Sequence, residues 1–128
     1  MVCAQVATVL FIIGAGLCKA LADACAHGKV RFTSQWFSVD SWRNKWRDGD
    51  AAKGERFPLS STLLVWTTDA WHFANMLQLW CWLLALACYE PVLFWLWDVL
   101  ILHVVFTASF HAGYYWIFAK KKIAHPLY

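Results

Sequence analysis

Hydrophobic positions run in three long blocks, about Val2 to Leu21, Leu63 to Tyr89 and Val92 to Phe118, and polar positions gather between and behind them. A helix needs roughly 20 mostly apolar residues to cross the hydrocarbon core of a bilayer, and each block meets or approaches that length. A water-soluble domain of this size could not hide so much apolar chain. The pattern therefore predicts a single all-α domain over residues 1–128: an integral membrane protein with three transmembrane helices and a polar loop over residues 28–58.

Composition sharpens the class. Apolar residues make up 61% and charged residues 15% of the chain, against about 45–50% and about 25% in soluble domains. Every Lys and Arg except Lys19 lies either between Lys29 and Arg56 or in the run Lys120, Lys121 and Lys122. The positive-inside rule then puts the loop and the C-terminal tail in the cytoplasm of a bacterial inner membrane, with the N-terminus and the Glu90–Pro91 turn outside. The chain is tryptophan-rich, and its indoles agree with that topology. Trp80, Trp82, Trp95 and Trp97 flank the turn, while Tyr114, Tyr115 and Trp116 precede the tail, as interfacial belts do. The first block is short and ends at Lys19, whose side chain is expected to snorkel to the inner headgroups. It opens without the basic stretch of a signal peptide, so an uncleaved span is expected.

The loop holds a candidate surface helix, Ser38 to Trp46, with Ser38 as its N-cap and Val39, Trp42 and Trp46 on one side. With Trp36, Arg43 and Lys45 it predicts a membrane-surface segment, its indoles among the headgroups. The same basic and aromatic residues suit nucleic acid less well, because two flanking spans already supply a membrane, so no nucleic-acid partner is expected. Gly49 and Gly54 have phosphate-loop spacing, but Glu55 stands where the lysine is required. Asp48 and Asp50 do not continue into an EF-hand. Five scattered cysteines form no zinc spacing or framework, although Cys3 and Cys88 should share the outer side. On the first helix, Ala7, Gly14, Cys18 and Cys25 form a small-residue stripe suited to close helix contact. Beside it Lys19, Asp23 and His27 recur every four residues and read as an ordinary surface pair.

From Trp42 to His72 the chain carries a tryptophan-rich N-K-W element, a polar loop, a Ser/Thr-rich helix start and the element T-D-A-W-H. In these features it resembles small uncharacterised bacterial and bacteriophage membrane proteins with N-K-W or N-K-Y and T-D-x-W-H motifs. The resemblance implies no activity.

Ionisable groups inside apolar blocks are costly and are the natural place to seek function. Asp69 and His72 are three apart, and His103, Thr107 and His111 form one stripe four residues apart. If the second and third helices pair antiparallel across a tight turn, His111 comes level with Asp69 and His72, and Asp98 points away, needing a partner or the outer headgroups. The first reading of Asp69, His72 and His111 is a polar cluster joining helices. Alternatives are a proton or ion path, a metal site with Asp69, His72 and His111 as ligands, or haem on paired histidines. No cofactor is expected on the first reading. The sequence thus points to a non-enzymatic membrane protein that associates with itself or with a larger complex. The runner-ups are a holin-like pore former and a metal- or haem-dependent redox component.

Overall fold

The computed structural model describes residues 2–120; Lys121 and Lys122 of the basic tail lie outside them. Three α-helices run through the described residues: α1 (Val2–Ala26), α2 (Ala70–Cys88) and α3 (Trp95–Ala112). A π-helical turn, Gly113–Phe118, continues α3. No strand forms among the described residues, only the isolated bridges Val30 to Ala119 and Trp46 to Glu55.

Two stretches, Val2–Ala26 and Trp95–Phe118, are long and apolar enough to cross a membrane. At 1.5 Å per residue, the 25-residue α1 is about 37 Å long. The second block falls short of expectation. It becomes α-helical only at Ala70, after a 3-10 turn at Val65–Thr67, and the early turns of α2 carry His72, Asn75 and Gln78. The residues before it cannot join the helix for local reasons. Leu59 has a left-handed φ of 65°. The Thr67 and Thr68 hydroxyls donate to carbonyls three residues back, Leu64 and Val65, a competition with helical geometry typical of these side chains.

The first block runs longer than expected, to Ala26. Its end is a paired closure in which Gly28 N–H donates to Cys25 O at 3.0 Å and Lys29 N–H to Ala24 O at 2.9 Å. Gly28 supplies the positive φ of 62° that this closure requires. Lys19 pairs with Asp23 and His27 Nδ1 lies 2.7 Å from Asp23 O, so this trio is the ordinary helix-surface arrangement.

Helix α1 is the centre of the bundle. Its buried residues are small, including Ala15, Gly16, Ala20, Ala22, Ala24 and Cys25, which lets two neighbours approach. Gly14 faces Cys81 of α2, where an added Cβ would lie 3.1 Å from the sulfur. Gly16 faces α3 so tightly that a Cβ would lie 2.7 Å from the Phe106 carbonyl oxygen and collide with Ser109 Oγ. Gly113, farther along, lies over Leu17 and Ala20. These contacts run α2 antiparallel to α1 and α3 parallel to it. Gly14 and Cys18 of the small-residue stripe thus make their close helix contact within the chain, Cys18 against Cys81.

The large apolar side chains point the other way. Leu10, Leu79, Trp80, Leu86, Trp97 and Val104 are all exposed, while the buried apolar set is mostly alanine. The expected antiparallel pairing of the second and third helices is replaced by packing of both on α1. Between α2 and α3, the Trp82 and Phe106 rings approach to 5.5 Å.

At one end of the bundle, residues 27–69 fold back on the helices. Arg31 N–H donates to Phe118 O at 2.8 Å, Lys120 N–H to Lys29 O at 2.6 Å and Arg31 Nε to Ala119 O at 2.6 Å. Loop and tail leave from the same end, and the N-terminus and the 89–94 turn from the other.

Candidate functional site

The most buried carboxylate, Asp69, stands at the junction of loop and helix, 1% exposed. It is the N-cap of α2, in extended conformation, and so is not the mid-helix residue that the sequence pattern suggested. Its Oδ1 accepts from the His72 backbone N–H at 2.9 Å, and its Oδ2 lies 2.6 Å from His72 Nδ1. With the carboxylate as acceptor, Nδ1 carries the hydrogen of this contact. The Thr68 hydroxyl donates to Val65 O at 2.7 Å and lies 3.2 Å from Oδ2. The capping spacing was present in T-D-A-W-H. What hid it was the apolar run Leu63-Leu64-Val65-Trp66, which reads as helix already under way.

This end is also where the two motif elements meet. Asn44 of N-K-W donates to the Thr68 carbonyl at 3.1 Å, directly before the cap. The Lys45 carbonyl accepts from Arg56 N–H at 2.9 Å and from the buried Ser60 hydroxyl at 2.8 Å. Trp46 bridges to Glu55, whose carboxylate takes the Leu59 N–H at 3.0 Å, the Ser61 N–H at 3.1 Å and the Ser61 hydroxyl. Those donors hold the Glu55 carboxyl below the usual carboxylate range, the Ser61 hydroxyl contributing most. Neither Asn44 nor Ser60 stood out by residue type, because their roles depend on contacts across 24 and 15 residues.

Of the expected amphipathic helix Ser38 to Trp46 only a short 3-10 turn, Ser41–Lys45, forms, preceded by another, Gln35–Phe37. Ser38 caps neither as expected; its hydroxyl accepts from Asp40 N–H at 3.2 Å. Trp36 leaves the surface set, its ring 5.5 Å from Phe73 of α2 and packed on the cluster of Ala24, Cys25, Val30 and Ala70. Trp42 remains exposed, with the Arg43 guanidinium 5.3 Å from its ring centre, and Lys45 lies 5.6 Å from that of Trp46.

The second buried carboxylate, Asp98, occupies the opposite end of the bundle. It needs no outside partner: Oδ2 accepts from the Tyr89 hydroxyl at 2.9 Å and from Val92 N–H at 3.0 Å, and Oδ1 from Leu93 N–H at 3.2 Å. Being in the first turn of α3, it also sits at the helix end that favours a negative charge.

The remaining predicted residues do not join Asp69 and His72. His103 and His111 are exposed and Thr107 is half-buried on α3; His111 stacks on Tyr115 with ring centres 5.8 Å apart. Among the described residues no three His, Cys, Asp or Glu side chains are grouped as metal ligands. All five cysteines are free, Cys25 being buried beside a cleft of about 200 Å³ that Asp69, His72 and Trp42 also line. No family model, curated protein or solved structure matches the chain.

Proposed function

We propose that the chain is a small non-enzymatic protein of a bacterial inner membrane that works as a self-associating component, its copies meeting along α3. In this reading the bilayer covers the large apolar side chains, and the N-terminus and the 89–94 turn lie outside the cell. One observation carries the association: His103 and His111 are exposed on α3, with Thr107 between them, although ionisable residues of membrane helices ordinarily face a bundle interior or a partner. A second copy suits this face because neutral imidazole and hydroxyl each both donate and accept hydrogen bonds, so the stripe is complementary to itself. Asp69 and Asp98 are then structural, each holding one end of the fold.

The test is Thr107→Cys with the native cysteines replaced, oxidised in membranes. A disulfide-linked dimer is expected, and none with a cysteine at Leu79 on α2. Absence of any dimer, together with a monomer mass in several detergents, defeats the reading. A holin-like pore former would use the same stripe to line a lumen; abrupt release of cytoplasmic contents on induced expression would favour that alternative.

A further inference from the structure

A polar cleft of about 490 Å³ lies wholly in the loop end, lined by Asp40, Arg43, Asn44, Trp46, Gly49 and Arg56 among others. Its charged groups are not spent on one another. Among the described residues the Arg56 guanidinium and the Asp40 carboxylate have no ion-pair or side-chain hydrogen-bond partner, and Arg43 has only the Trp42 ring. Asp48, the other carboxylate of the rim, is neutralised by Lys53 at 2.9 Å. The cleft thus offers two free guanidinium groups and one free carboxylate. Gly49, at φ 73°, lies beside the Arg43 stem, where an added Cβ would be 3.6 Å from Arg43 Cβ. Val39 and Trp42, next in sequence to the lining residues Ser38, Asp40 and Arg43, are exposed apolar groups suited to the headgroup boundary of a bilayer.

We infer that this cleft binds a phosphate ester bearing a nearby ammonium, the chemistry of a phosphoethanolamine headgroup, with phosphate on Arg43 and Arg56 and ammonium on Asp40. Guanidinium matches phosphate oxygens in fork geometry. A purely anionic headgroup would meet Asp40 as a like charge, and a quaternary ammonium could not donate hydrogen bonds to it. The source of the ester is either a membrane lipid or a soluble headgroup. Only the lipid source rests on the membrane reading above.

The full chain in nanodiscs of mixed phosphatidylcholine, phosphatidylglycerol and phosphatidylethanolamine tests this by native mass spectrometry of the lipid retained on release. Failure to enter the discs would count against the membrane reading, and soluble glycerophosphoethanolamine would then test the cleft by itself. Retention of phosphatidylethanolamine above the other two is expected. Arg56→Gln should lower it about tenfold, the scale of one charge-assisted contact. Asp40→Asn should abolish the preference for phosphatidylethanolamine over phosphatidylglycerol. Both side chains are exposed, and an unchanged helical circular dichroism spectrum checks the fold. Displacement by soluble glycerophosphoethanolamine would identify the headgroup alone as the ligand; retention despite it would identify the lipid. Equal retention of all three lipids with no binding of the soluble ester, or no effect of either variant, overturns the inference.

Discussion

Asp69 and Asp98 are the same chemical device at opposite ends of one bundle, and they differ in what each holds. Both are buried carboxylates beside the start of a helix, and both accept backbone N–H groups that would otherwise be unpaired. Asp98 closes a turn whose members lie within nine residues of it. Asp69 caps α2 immediately after Thr68, whose carbonyl is the anchor for Asn44. Its surroundings therefore join the helix start to a loop that in turn is tied to Ala119 and Lys120, just past the π-helical turn that continues α3. A local clamp fails locally, whereas a clamp at a junction releases what the junction carries.

The largest effect is expected where the junction is broken. Asp69→Leu should cost about 3 kcal/mol, the loss of an N-cap plus unpaired donors on His72. Asp69→Asn, which keeps an acceptor oxygen, should lose less than half of that; thermal unfolding in detergent compares the two. An equal loss would mean that the charge, and not the acceptor, is what matters there. Asp98→Ala should cost about 2 kcal/mol, since water at the bundle end can reach part of the freed turn. If it cost more than Asp69→Leu, the ranking of the two ends would be reversed.

Smaller changes separate the loop from the cap. Asn44→Ala should cost about 1 kcal/mol and loosen residues 41–68 while α2 stays formed, seen as faster amide exchange confined to the loop. The mildest effect is one of pH. Because the Glu55 carboxyl is held below its ordinary value, the stability it adds is present above about pH 4.3 and is lost as pH falls through the lowered folded value. Exchange at Leu59 and Ser61 should rise only in that acid range, and Glu55→Gln should remove the pH dependence.

The difference between the ends also marks how far the sequence could be read. Composition and block lengths were enough for an all-helical chain, but of the three spans they predict, two stretches are long and apolar enough to cross a membrane. Asp69, His72 and Asp98 stood out because ionisable groups in apolar surroundings need partners. Their roles were not legible, since apolar residues before Asp69 continue the hydrophobic run although the extended backbone of Asp69 separates them from α2. Depth matching from the turn misplaced His111 because it assumes that sequential helices pair. Gly16 and the other small residues of α1 instead draw both neighbours onto that helix. The Asn44 and Ser60 contacts left no periodic trace, being single long-range bonds to backbone carbonyls.

Two carboxylates that clamp opposite ends independently should be separable by residue-resolved amide exchange. Asp69→Ala should accelerate exchange at His72 and leave Val92 and Leu93 unchanged, while Asp98→Ala should do the reverse. Acceleration at both ends in either variant, or at neither, would contradict their independence.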